Sequence, residues 1–182
     1  MQYILEDGTK RFAKDSKNEG NFHALGGLEK LDRAPVIVIA EGYATAASIK
    51  EATNLPTVVC AFDAGNLKSV AESIREKYPD TPIVIAGDDD KHQEMTKGIN
   101  PGKEKAELAA KAVNGTFILP VFAPDEQSQS PRKYSDFNDL AQKSLLGVEG
   151  VKRQINAKMQ RIQKVRSSVV QFRKSAASNK VA

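Results

Sequence analysis

The sequence contains a single cysteine among 182 residues, Cys60, within the apolar run "TVVCAF". One thiol forms no intrachain disulfide and no cysteine-based zinc module, so Cys60 is expected to be a reduced core residue. No run of eighteen apolar residues occurs, which excludes a helical membrane span. The N-terminus "MQYILEDGTK" lacks the basic-then-apolar pattern of a signal peptide, and a cytoplasmic location is the expectation. Acidic residues are absent from residues 151–182, which carry nine Lys and Arg. The net charge of +4 therefore hides an acidic body, −5 over residues 1–150, joined to a basic tail. That asymmetry is a reason to consider a polyanionic partner.

A hydrophobic content of 40% is enough for one domain with an appendage. "QYILEDGTKRFA" reads as a hairpin turning at Asp7-Gly8, a favoured type I′ pair. Polar residues and a glycine-rich connector follow to residue 34. From residue 35 short apolar runs alternate with helical spacing. "VIVIA" (36–40), "PTVVCAF" (56–62), "TPIVIAG" (81–87) and "GTFILPVF" (115–122) predict strands, the last ending or lying at an edge because of Pro120. Residues 45–54, 66–78 and 102–114 predict helices, with Asn54 ending the first and Asn66 capping the second. The pattern is that of βαβ units: an open, mainly parallel four-stranded α/β sheet flanked by helices. Residues 123–135, rich in Ser, Gln and Pro, read as a mobile loop, and "DFNDLAQKSLL" (136–146) starts a further helix. Val151, Ile155, Met159, Ile162, Val165 and Val169 then form one stripe on a long C-terminal helix. The expected divisions are 1–34, hairpin and connector; 35–147, the α/β domain; 148–175, the basic amphipathic helix; and 176–182, a disordered tail.

Two predicted strands end in acid. Glu41 follows the first, and Asp88, Asp89 and Asp90 follow the third. In an open parallel sheet ligands bind at the carboxyl ends of strands, so neighbouring positions for these two strands bring the acids together. Alternation lets Asp88 and Asp90 point together with Asp89 turned away. Three crowded carboxylates repel and protonate unless a cation relieves them. Oxygen-only ligands suit Mg²⁺ or Mn²⁺. The plain alternative is a solvated acidic loop. "INPGKEKAE" opens a helix whose N–H groups, with Lys103, are placed to receive a phosphate; otherwise it is a Pro-Gly turn beside a surface lysine. Asp136 and Asp139 either add carboxylates or, for Asp136, cap a helix. Gly42 suits close packing at the strand–helix turn. Asp63 reads as a turn or capping residue and His92 as an exposed loop histidine, while His23 carries no signal. Lys152, Arg153, Lys158 and Arg161 are either solvated beside a packed stripe or in contact with nucleic-acid phosphates. With Phe172 as its lone aromatic, the tail offers no base-stacking platform.

"VIVIAEGYATAASI" followed by "IVIAGDDD" resembles the Toprim domain shared by bacterial-type primases, topoisomerases and some nucleases. "EGYATA", "DDD…NPG…K" and "DFNDL" together resemble the Toprim domains of plasmid and phage (conjugative-transfer) primases, across roughly residues 35–145. The resemblance implies metal-dependent phosphoryl transfer in primer synthesis, with Asp88 and Asp90 holding Mg²⁺. It implies that Glu41 holds a metal or acts in acid–base catalysis. It also implies a single-stranded DNA template and nucleoside triphosphates as partners, other domains of a larger primase, and no membrane. Such primases place a zinc module and a catalytic part before this core, so the chain is expected to be a fragment of a longer primase or a reduced relative. A Toprim-type nuclease and a non-catalytic docking module are the alternatives. A signalling receiver domain is a fourth reading and fits poorly, because Glu41 stands alone after strand one and "ILPVFAP" has no lysine.

Overall fold

The structure, a computed structural model, describes residues 2–7, 9–14 and 18–178. β1 (Gln2–Ile4) and β2 (Lys10–Phe12) form the expected hairpin, with Gln2 opposite Phe12 and Ile4 opposite Lys10. The Leu5 N–H donates to the Thr9 carbonyl at 2.9 Å. That register leaves three residues in the connection where the Asp7-Gly8 reading expected two. The Asp7 carboxylate accepts from the Thr9 N–H within it, and Gly8 lies outside the described residues.

The main sheet has five strands, one more than expected. β3 (His23–Leu25), β4 (Ile37–Ala40), β5 (Val58–Cys60), β6 (Ile83–Ala86) and β7 (Thr116–Ile118) lie in the order β3-β5-β4-β6-β7. β4 through β7 are parallel, and β3, drawn from the glycine-rich connector, is antiparallel to β5. β7 is an edge strand, the position Pro120 pointed to.

Alternation along the strands builds two cores, which explains the unbroken apolar runs. Val38, Ala40, Val58, Val84 and Ala86 face one side. They meet Ile49 of α1 (Tyr43–Thr53), Phe137 and Leu140 of α6 (Phe137–Lys143), and Val151 and Ile155 of α7 (Gly147–Ser178). Ile37, Ile39, Ile83 and Ile85 face the other side. They pack on Leu67, Val70 and Ile74 of α2 (Leu67–Lys77) and on Ala106, Ala109 and Ala110 of α4 (Pro101–Ala112).

Asn54, left-handed at φ 55°, ends α1 as expected. Asn66 precedes α2, but its side chain makes no capping bond. Its amide instead donates to the Ala61 and Asn21 carbonyls and its Oδ1 accepts from the Gly20 N–H, tying the connector to the sheet. A short helix, α3 (Lys91–Lys97), was not expected; none of its residues is buried, so its sequence has no apolar periodicity. Residues 123–135 are not the free loop their composition suggested. They contain α5 (Glu126–Gln129), and Glu126 accepts from the N–H groups of Ala123 and Leu145 and from Ser144 Oγ.

In α7 the stripe divides. Val151 and Ile155 are fully buried, Met159 and Ile162 partly so, and Val165 is 63% exposed. Val169 lies outside the residues whose side chains are described. The helix runs on to Ser178, past the expected end at 175; residues 179–182 are outside the described residues. Cys60 is a buried thiol in no disulfide, as expected. No described helix is long and apolar enough to cross a membrane.

Candidate functional site

β4 and β6 are adjacent and parallel, with Ala40 opposite Ala86. Adjacent strands lie about 4.8 Å apart, so Glu41 leaves the sheet beside Gly87, with Asp88 one residue beyond. The topology thus delivers the acids of two distant segments to one edge.

What happens past Ala86 is set by two glycines. A Cβ on Gly87 would stand 2.4 Å from the Ala106 Cβ, and one on Gly102 would stand 2.5 Å from the Asp88 carbonyl oxygen. Only hydrogen fits at either position, so α4 presses its first turn against the acidic run. One carboxylate oxygen of Asp88, Oδ1, is shut off from solvent there. Asp90 Oδ2 accepts from the Gly102 N–H at 2.9 Å, while Asn100 Oδ1 accepts from the N–H groups of Asp90 and Lys103. Asp88 and Asp90 therefore both border Gly102. The anion at the start of α4 is the protein's own Asp90, favoured by the helix dipole. The N–H groups of Gly102 and Lys103, expected to receive a phosphate, are already engaged.

Asp89 has partners of its own. Asn100 Nδ2 donates to its Oδ1 at 2.6 Å, Gln127 Nε2 donates to its Oδ2 at 2.9 Å, and its own N–H donates to the Ser135 carbonyl. It fastens α4 and the 123–135 segment to the strand tip. Asn100 and Gln127 are the residues the sequence reading missed. Asn100 had a signal, an Asn before Pro-Gly at a helix start. Gln127 had none.

"DFNDL" docks onto the helix that follows Glu41. Asp136 caps α6, accepting from the Asp139 N–H at 2.7 Å, and its Oδ2 accepts from Thr45 Oγ1 of α1 at 3.1 Å. Ser48 Oγ of α1 donates to Asn138 Oδ1. Burial raises the Asp136 carboxyl above its ordinary value; the Asp139 N–H bond works against that, and the Asp139 charge adds to it. Asp139 is buried and accepts from Ser135 and, at 2.6 Å, from Lys143. Asp136, through Thr45, ties "EGYATA" to the start of α6.

Among the described residues, no group of three or more His, Cys, Asp or Glu side chains is arranged to hold a metal ion. The expected three-carboxylate cluster of Glu41, Asp88 and Asp90 does not close. The donor chemistry remains that of a hard cation: Mg²⁺ binds through one or two carboxylates and completes its shell with water and substrate phosphates. Gly42 is extended, at φ −102°, so backbone conformation does not require glycine there.

Asp63 is a cap, accepting from the Asn66 N–H and from Asn18 Nδ2. His92, expected in an exposed loop, lies half-buried in α3, and its Nε2 accepts from Arg132 Nε at 2.9 Å. In α7, Lys152 pairs with Glu149 at 3.6 Å, Arg153 and Arg161 are exposed, and Lys158 is half-buried. Burial, then the nearby Arg161 charge, lowers the Lys158 ammonium.

The Toprim domain family model matches residues 36–146, more than half of the chain. Two curated relatives, both described as DNA primase TraC from Escherichia coli, are 44% and 42% identical to it. Their alignments cover 90% and 86% of this chain but only 15% and 20% of the relatives' own length. No solved structure matches. With the five-stranded sheet and its acidic carboxyl edge, the family match assigns this chain to the Toprim family.

Proposed function

We propose that this chain is the Toprim domain of a plasmid-type primase and serves divalent-metal-dependent nucleotidyl transfer during primer synthesis, as part of a longer protein. The observation that supports the proposal is the parallel pairing of β4 with β6, strands whose carboxyl ends lead into Glu41 and into the run Asp88–Asp90. Similarity to two DNA primases supports the substrate class: a single-stranded template and nucleoside triphosphates. Asp88 and Asp90, both against Gly102, are the residues we assign to Mg²⁺ or Mn²⁺. When bound, the cation supplies neutralisation of phosphate charge and a lowered pKa for an attacking hydroxyl. Glu41 either completes the metal's ligands or takes a proton. Gly42 lets a phosphate approach the start of α1, and Lys103 offers a point charge at the start of α4.

The test is Mn²⁺ titration by calorimetry of wild type, Asp88→Asn and Glu41→Gln, with thermal melting as the folding control. Asp88→Asn is expected to weaken Mn²⁺ binding at least tenfold, since losing even a group that only supports a metal ligand costs about that much. Equal binding by all three proteins refutes the metal site. Incubation with labelled single-stranded DNA, with and without nucleoside triphosphates, then separates synthesis from cleavage, the nuclease alternative.

A docking module without turnover is the second reading. It is favoured by the exposed cations Arg153 and Arg161 on α7. Nucleic-acid binding that persists in EDTA, with neither synthesis nor cleavage, supports it.

A further inference from the structure

The described chain exposes three large aromatic side chains, Tyr3, Phe12 and Tyr43, and all three belong to segments at the carboxyl edge of the sheet. Tyr43 opens α1, two residues after Glu41, and is 45% exposed. Its ring stacks on His23, centroids 6.1 Å apart and planes within 25°. His23 reaches this edge because β3 runs antiparallel to β5, which sets His23 opposite Cys60. The Cys60 thiol in turn lies 3.8 Å from the Glu41 carbonyl oxygen. A line across the edge thus runs His23, Cys60, Glu41, with Tyr43 over the first and next to the last. The hairpin bearing Tyr3 and Phe12 joins the same edge, where Gln2 Nε2 donates to the Phe62 carbonyl at 3.3 Å. Phe62 itself is held at φ 73°, a conformation that is an outlier for a bulky residue.

Exposed aromatic surface is unfavourable in water unless a partner covers it. His23, itself exposed, lies near-parallel to the Tyr43 ring, which leaves much of that ring open to a second flat partner. Offset stacking against another flat ring is its natural complement. A phosphate-bearing ligand that also carries flat rings is a nucleotide, in a strand or free. We propose that Tyr43, backed by His23, is a stacking platform that receives a nucleobase and so positions the attached sugar-phosphate at the Glu41–Asp88 edge. The proposal rests on the nucleic-acid reading above and adds to it a binding residue and its ligand chemistry.

The experiment measures binding of the full chain, in Mg²⁺, to a labelled oligothymidylate, to an abasic oligomer of equal length, and to a fluorescent nucleoside triphosphate. Wild type, Tyr43→Phe and Tyr43→Ala are compared, and thermal melting confirms that each is folded. Tyr43→Phe is expected to bind within about twofold of wild type, because the π face is retained. Tyr43→Ala is expected to lose about tenfold for a base-bearing ligand, within the range measured for base–aromatic stacking, and nothing for the abasic oligomer. Loss confined to the oligothymidylate assigns the base to the strand; loss confined to the triphosphate assigns it to the incoming nucleotide. Base-bearing ligands bound equally by wild type and Tyr43→Ala overturn the platform, as does an equal loss for the abasic oligomer. If Mn²⁺ binding still depends on Asp88 in that case, the platform fails and the metal site stands. If wild type binds no base-bearing ligand, both proposals fall.

Discussion

At Asp88–Asp90 each carboxylate has surroundings of its own. Asp89 is stabilised by two amide donors, Asn100 and Gln127, and Asp90 by the Gly102 N–H at a helix start, while Asp88 has one oxygen withdrawn from water, which penalises its charge. The same accounting at Asp136 gives a pH-dependent outcome. Burial is the leading influence on that carboxyl and raises its pKa in the fold. A carboxyl whose pKa is raised on folding contributes stability below its unfolded value, about 3.9, and loses that contribution as pH rises through the folded value. At neutral pH the ionised Asp136 is thus a cost that its cap and the Thr45 bond offset. Asn caps helices as well as Asp, so Asp136→Asn keeps the cap and removes the buried charge. The Tm of Asp136→Asn relative to wild type is expected to be higher at pH 7 than at pH 4. Asp136→Ala, which loses the cap, is expected to be destabilised by about 1 kcal/mol or more. Melting curves at the two pH values check this; a Tm difference for Asp136→Asn that does not change with pH refutes it.

At the scale of elements, the close approach of α4 to the tip of β6 is what shapes the acidic edge. Gly102→Ala tests it. Alanine is the better helix former by about 1 kcal/mol, so a free helix would gain. Here the added methyl meets the Asp88 carbonyl oxygen at 2.5 Å, a backbone atom that no rotamer change can move. We expect a net loss of about 1–3 kcal/mol, the usual range for forcing an extra methyl into a packed site, read by chemical denaturation. Weaker Mn²⁺ binding should accompany it if Asp88 is displaced. A stabilised Gly102→Ala protein would show that α4 yields freely. Such contacts also mark how far the sequence could be read. The strands were legible because both faces of the sheet are covered, which makes "VIVIA" and "PIVIA" unbroken apolar runs. Glu41, Asp88 and Asp90 were legible because acid after such a run falls at a sheet edge. β3 was not: "HAL" is three residues between polar and glycine-rich stretches, and only pairing with β5 makes it a strand. Nor was the Asp89–Gln127 bond, whose partners stand 38 positions apart and meet only through the completed fold.

Across the whole molecule, the candidate acids Glu41 and Asp88–Asp90 follow the carboxyl ends of β4 and β6. At the opposite edge, a groove of about 750 Å³ lies between α7 and the starts of β6 and β7, and Arg75, Lys111 and Arg166 line it. Arg75 is partly committed to structure, donating to the carbonyls of Tyr78, Pro79, Thr81 and Val113. Its guanidinium pKa is lowered, first by burial and also by the Arg166 charge, which Asp80 opposes. A carbonyl partner leaves the cation's charge in place, so this edge and the exposed length of α7 remain positive. The helix itself divides at about Ile162: before it, the stripe is packed on the sheet domain, and Val165 beyond it is exposed. The two halves therefore separate folding from polyanion attraction. Removing residues 166–182 deletes four basic residues, Arg166, Arg173, Lys174 and Lys180, and none of the stripe residues described as buried. The truncated protein is expected to melt within a degree or two of the full chain. Its affinity for single-stranded DNA should fall less steeply with salt, the slope of log K against log salt flattening by at most about 3 if all four cations meet phosphates. An unchanged slope would place the nucleic-acid contact elsewhere on the molecule. A large fall in Tm would mean that the distal helix packs on the body, and that its cations are held there as part of the fold.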